Sequence, residues 1–501
     1  MPIPRCDNNL QRRSLRPTYQ KAKRLEWQLV ESGAARPHLH FRWAKPPSEM
    51  EPTTATAPPR LRRVLTIWDL VFYGIVLIQP IAPVGIFGIT QGLSRGHMST
   101  AVLAAMLAMM LTAFSYGRMA AIYPSAGSAY TYVSRALHPY LGALIGWAMV
   151  LDYLVIPIVN VIYPALTFKR LFPDVPYAAW AGLVTGIIVL LNLIGIRFTA
   201  RANEALLAIE SLVVVAFFIS GVRFLLRLHG AGGLLSLQPF YDASTYNFGA
   251  LRTATSLAAL TYIGFDGVTT LAEEVENPKR TVPAATVLVC FICGILSTVE
   301  VYLGHLAWPT YNTFPNLETA FMDVCLRVGG MVLFQAMAVI LIIACVGTGL
   351  AGVAGAARLL YGMGRDNVLP RKFFARIDAK HNVPMFNIVV IGVLTLIGAL
   401  AISYERSAEL LNFGAFLAFM GVNLSCIQQF CIRAQAGRRR NLLTDLLVPG
   451  LGFLFCLGIW WSLPVPAKWA GGVWFAIGVA YAAIRTKGFR VEPPKMDFAD
   501  L

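Results

Sequence analysis

The stretch from Tyr262 to Pro283 reads YIGFDGVTTLAEEVENPKRTVP. It starts inside an apolar segment, is interrupted at Gly264-Phe265-Asp266-Gly267, and leaves through a run of charges. An aspartate between glycines in a lipid-length segment is costly to bury. Ionisable residues in that position usually face a bundle interior or a watery cavity. Non-helical backbone at that depth persists only where protein or a polar cavity covers it. A broken, acid-bearing span of this kind points to transport.

The chain around it is built for lipid. Of its 501 residues 56% are hydrophobic and only 14% charged, well below the charge of a soluble domain. Apolar stretches long enough to cross a bilayer core recur twelve times, centred near Leu77, Leu107, Val150, Leu190, Val215, Ala258, Gly294, Ile342, Leu394, Met420, Phe453 and Ile477. The net charge of +16 does not indicate nucleic acid, because the basic residues sit in alternate loops. Loops with Arg118 and Arg135, Arg197 and Arg201, Lys279 and Arg280, Arg365 to Arg376, and Arg433 to Arg440 are rich; those with Lys169, Arg170, Arg223, Arg406 and Lys468 are poorer. That asymmetry places the rich loops and both termini in the cytoplasm.

The eight cysteines form no disulfide framework: most fall in apolar spans, with Cys325 placed in an outside loop. Cys290 and Cys293 make a CxxC on a lipid-length helix, where packing is the ordinary reading. His38 and His40 are close, without further ligands, so no metal site or cofactor is expected. Residues 1–60 are polar, basic and proline-rich, which predicts a disordered tail able to touch anionic lipid. Met50 opens MEPTTATAPPRLRR directly before the first span, so an over-extended gene start is the alternative. A twelve-span body over 61–487 and a short cytoplasmic tail over 488–501 complete the expected domains.

The first span is also interrupted. Gln79 to Gly88 reads QPIAPVGIFG, and two prolines and two glycines beyond Gln79 cannot sustain a helix. The two broken spans are five apart. Breaks at matching positions in two halves mark a transporter binding site and imply an inverted 5+5 repeat with two spans appended. Exposed half-helix ends favour an anion at the N-terminal side and a cation at the C-terminal side.

GFDGVTTLAEEVENPKRTVP resembles a signature of the amino acid–polyamine–organocation (APC) superfamily. The likeness extends through Ser115 to Tyr163, RLLYGMGRDNVLP (Arg358 to Pro370) and LLNFGAFLAFMGVNLS (Leu410 to Ser425). YPSAGSAYTY and LDYLVIPIVN look closest to bacterial putrescine importers. The resemblance implies an all-α, leucine-transporter-like fold with substrate held between spans 1, 3, 6, 8 and 10. Many permeases of this superfamily carry a GSG-type turn where this chain has Ala82-Pro83-Val84-Gly85. There the turn's amides hold a substrate carboxylate, and Pro83 has no N–H to give. That departure favours a cation without a carboxylate, such as a diamine.

The candidate binding residues are Gln79, Pro83, Gly85, Ile86 and Gly88 in the first break, and Tyr262, Gly264, Phe265, Asp266 and Gly267 in the sixth span. Asp152 and Tyr153 join them from the third span, with Asn160 lower on the same helix. Asp266 is placed to take a substrate ammonium, the alternative being a cap on its own half-helix. Tyr262 and Phe265 are aromatic partners for a cation or plain packing. Asp152 either meets a second amine or pairs with a neighbouring helix. Glu210 and Glu300 are intramembrane carboxyls suited to proton exchange. Glu273 and Glu274 belong to an inward gate with Glu276, Lys279 and Arg280, pairing with basic loops such as Arg197 or Arg365.

Thr348 is the only hydroxyl in its stretch before Tyr361. The resembling sodium-dependent folds use hydroxyls where this chain has Ala354, Ala356 and Ala357, so protons or exchange are preferred. GxGxxG at Gly347, Gly349 and Gly352 lacks a preceding strand and reads as helix packing. No nucleophile–base constellation points to an enzyme. The expected function is proton-coupled import of polyamines or amino acids across a bacterial inner membrane by alternating access. A general amino acid permease or exchanger is the alternative, and a non-transporting nutrient receptor is the alternative of another class.

Overall fold

Long apolar segments must satisfy their backbone internally, and every regular element among the described residues is helical. The computed structural model describes residues 65–124, 128–194, 200–365, 370–378, 383–433, 441–488 and 490. The expected tail over 1–60, the start at Met50 and most of 488–501 lie outside them.

The first apolar segment gives α1 (Ile67–Ile78) and α2 (Phe87–Ser94), separated by irregular turns. Then follow α3 (Met98–Ile122), a short α4 (Ser128–Ala136), α5 (Pro139–Leu171), α6 (Tyr177–Ile194) and α7 (Ala200–His229). Next, α8 (Phe248–Ala258) gives way to 3-10 turns over Ala259–Tyr262 and Phe265–Glu274. The remainder is α9 (Pro278–Ala307), α10 (Ala320–Arg365), the single turn α11 (Arg371–Phe374), α12 (Met385–Ala401), α13 (Tyr404–Ile427), α14 (Val448–Trp461) and α15 (Val465–Arg485). Among the described residues, 9 helical stretches are long and apolar enough to cross a membrane, and Ile67–Ile78 and Met385–Ala401 are shorter apolar helices.

Helix starts follow local chemistry. Thr66 and Asp69 form a capping box on α1, with Thr66 N–H donating to Asp69 Oδ2 at 2.8 Å. Asn247 Oδ1 accepts the Ala250 N–H at 2.8 Å to start α8. Pro139 and Pro278 occupy the first helical positions of α5 and α9, where a missing N–H costs nothing. α10 is not continuous: Gly330 has φ 67°, which separates a short leading helix from a long one.

Small residues let the helices meet. A Cβ at Gly117 of α3 would fall 2.8 Å from the Pro283 nitrogen of α9 and 2.9 Å from Thr286 Oγ1. The Thr286 hydroxyl donates across that seam to Ala113 O at 3.0 Å. Gly349 and Gly352 of α10 pack on Ile188 of α6 and on Ile156 and Pro157 of α5, as the packing reading of GxGxxG expects. Cys325, expected in an outside loop, is buried in the short leading helix of α10, ahead of the Gly330 break. The helix α4 was not anticipated. Apolar side chains such as Leu190, Leu212, Leu454 and Trp469 stay exposed on the outer helices, as a lipid-facing surface requires.

Candidate functional site

Both interruptions fall where proline and glycine predict them. α1 stops at Ile78; Gln79 takes φ 67° and the chain turns until α2 begins at Phe87. Four amides of this turn are spent internally: Gln79, Ala82, Val84 and Phe87 N–H donate to the carbonyls of Ile75, Gln79, Ile81 and Val84. In the second interruption Gly264 has φ 120°, a conformation that an L side chain resists. A Cβ there would also fall 3.1 Å from Leu77 O, so the two breaks press on one another.

Between them and the flanking helices lies a cavity of about 430 Å³. Asp266 and Gly267 reach it from the 3-10 run, Gln79 and Gly85 from the first break, and Asp152 and Tyr153 from α5. The Asp152 and Asp266 carboxylates are near enough to feel each other's charge. Backbone amides of Gly264, Asp266 and Gly267 lie against the Asp266 carboxylate. No side-chain cap forms at this helix start, and the Asp266 carboxylate faces the cavity. Asp152 Oδ1 is buried without a hydrogen-bond partner. Gly414 of α13 leaves it room, since a Cβ there would collide with that oxygen.

Gln79 bridges the first break to α10, its Nε2 donating to Thr348 Oγ1 at 2.8 Å and to Ala344 O at 3.5 Å. Thr348 thus joins the site through its hydroxyl. Asp152 and Asp266 are the only charged side chains among the described residues lining the cavity.

The family model for amino acid permeases matches residues 74–465. The chain belongs to that family. This permease is 34% identical over 452 residues to the low-affinity putrescine importer PlaP of Escherichia coli strain K12, covering 89% of this chain and 98% of the relative. It is 26% identical over 412 residues to the branched-chain amino acid permease BcaP of Lactococcus lactis, covering 77% of this chain and 86% of the relative. The vacuolar cationic amino acid transporter 4 of Arabidopsis thaliana is 26% identical over 388 residues, 73% of this chain and 63% of that protein. The family and these relatives are transporters, and the permease is a multi-pass membrane protein rather than an enzyme.

Several residues singled out from the sequence do not line the cavity. Tyr262 is fully buried and turns toward α3, where its hydroxyl donates to Val102 O at 2.9 Å. Phe265 packs edge-on against Tyr116 at 5.4 Å and tilted against Phe419 at 5.2 Å, which makes it wall rather than lining. The 3-10 winding turns Tyr262 and Phe265 into the helix packing, while Gly264, Asp266 and Gly267 reach the cavity. Pro83 and Ile86 are buried outside the cavity surface. Gly88 is a packing glycine, seated on Leu317 O and Ala320 Cβ.

Glu210 and Glu300 also stand apart from the cavity, on α7 and α9. Both are buried and within electrostatic reach of each other, and neither Glu300 oxygen has a hydrogen-bond partner. Glu274 acts through its backbone: Leu65 N–H donates to Glu274 O at 3.0 Å, and Glu276 N–H to Leu65 O at 3.4 Å. The Glu273 side chain and Arg197 lie outside the described residues.

Tyr116, Ser128, Tyr163 and Tyr404 line the cavity and were not singled out. One signal was present for Tyr163. Asp152, Ile156, Val159, Asn160 and Tyr163 recur at helical spacing and all face the cavity, so α5 carries a continuous lining stripe.

Proposed function

We propose that this permease imports putrescine-like diamines by secondary-active alternating access in a bacterial inner membrane. The observation that carries the reading is the pair Asp152 and Asp266 facing one cavity, with no basic side chain among its described lining residues. Two carboxylates suit two ammonium groups. In a low-dielectric site an unpaired charge is expensive, so the pair also rejects neutral substrates. The match to a putrescine importer over most of both chains supports the same substrate class.

The fold reading is twelve spans over 61–487, built as a 5+5 inverted repeat with the first and sixth spans broken, and with both termini cytoplasmic. Nine long apolar helices and two shorter ones among the described residues, with the paired interruptions, support it. Import is coupled to protons, with Glu210 and Glu300 as the exchanging carboxyls; their burial away from the substrate cavity supports that division of labour. Tyr153, Gln79, Thr348 and the glycines of both breaks shape the cavity around the amines.

The test is radiolabelled putrescine uptake into liposomes, with and without an imposed pH gradient. Asp266→Asn is expected to lower uptake efficiency about 100-fold while the protein stays monodisperse, the scale of leaving a buried charge unpaired. Undiminished putrescine uptake by that variant would overturn the assignment. Indifference of the unaltered protein to the pH gradient would remove proton coupling alone.

A further inference from the structure

The first break carries an anion seat that the diamine reading does not use. Pro80 and Pro83 have no N–H, and four other amides of the turn are consumed by carbonyls. The Gly85 and Ile86 amides donate to no carbonyl among the described residues, and they lie just ahead of the first turn of α2. Free N–H groups at a helix start attract a negative group. A substrate carboxylate entering the cavity would be drawn to Gly85.

The space beside Gly85 is crowded. A Cβ at Gly85 would fall 2.5 Å from the Tyr404 hydroxyl oxygen, 3.3 Å from its ring carbon and 3.5 Å from Tyr163 Cε2. Tyr404 is the first residue of α13, and its position is set twice. Ser403 caps the helix, accepting the Arg406 N–H at 3.3 Å, and the Tyr404 ring rests on Tyr163 at 5.4 Å. The hydroxyl therefore crowds Gly85 from the side a side chain would take, next to its free amide.

We infer that Tyr404 is a specificity-determining residue: its hydroxyl crowds Gly85 and leaves no room for a carboxylate beside the free amides, so the site takes amines that lack an α-carboxylate and discriminates against the corresponding amino acids. The inference rests on the diamine reading and names what enforces it. Putrescine and ornithine are the matched probes, because ornithine is putrescine with a carboxylate on one amine-bearing carbon.

Binding of radiolabelled putrescine to purified permease, competed by unlabelled putrescine or ornithine, gives the ratio of their inhibition constants. The unaltered protein should favour putrescine. Tyr404→Phe removes only the blocking oxygen, and Tyr404→Ala clears the ring as well. Both should narrow the ratio about tenfold, the worth of one charge-assisted hydrogen bond that ornithine alone can then make. An unchanged ratio in Tyr404→Phe and Tyr404→Ala overturns the role of Tyr404 and leaves the diamine reading standing. If Tyr404→Ala does not fold, Tyr404→Phe decides alone. Equal binding of ornithine and putrescine by the unaltered protein overturns the diamine reading itself, and the inference with it.

Discussion

Tyr262 and Asp266 are four residues apart on one broken span, and they face different worlds. Asp266 meets the cavity, whereas the Tyr262 hydroxyl is spent on Val102 O at 2.9 Å. The two should separate cleanly under substitution. Tyr262→Phe is expected to cost about 1 kcal/mol of stability, one buried hydrogen bond, without altering the KM for substrate. Thermal unfolding in detergent and uptake kinetics in liposomes check the two halves of that expectation. A raised KM would return Tyr262 to the substrate. The same contrast holds in the first break, where Gly85 borders the cavity and Gly88 is pressed into Leu317 and Ala320. Neighbouring glycines thus border a cavity and seat a helix contact respectively.

At the scale of elements, α3 and α9 form a close seam, with Gly117 against Pro283. Gly117→Leu would drive a side chain into backbone that cannot retreat. Overpacking of this sort costs about 1–3 kcal/mol, and here it should also separate α3 from α9. The expected result is a lower unfolding temperature and loss of uptake together. Stable protein with normal transport would show the seam to be loose. The breaks in the first and sixth spans were legible because proline and glycine act locally: Pro80, Pro83 and Gly264 disfavour a helix whatever surrounds them. The acids were legible because charge is rare in lipid. Tyr163 and Tyr404 were not, since an aromatic in an apolar span has the same composition whether it packs or lines. Which of its two readings Phe265 takes, cation partner or plain packing, was hidden for a related reason. Its neighbour Asp266 is polar and cavity-facing, but the turn between them depends on a 3-10 winding that residue types do not announce.

Across the whole molecule, the terminal helices are tied to the body by a buried ion pair. Arg118 at the end of α3 reaches Asp445 at 2.7 Å, in the turn leading into α14, and its guanidinium lies 3.7 Å from the centre of the Phe430 ring. Asp445 is 1% exposed, so Asp445→Ala would strand a buried cation at a cost of about 3–5 kcal/mol. A marked loss of thermal stability, read by size-exclusion after heating, is the expected outcome; an unchanged melting profile would show that the pair adds nothing to holding α14 in place. A second tie joins the two broken spans. Leu65, ahead of α1, exchanges backbone hydrogen bonds with Glu274 and Glu276, on either side of Val275, at the far end of the sixth span. Such a link has a kinetic meaning: the parts of the first and sixth spans that meet there are expected to move together, so opening on that side should be read as one kinetic phase rather than two.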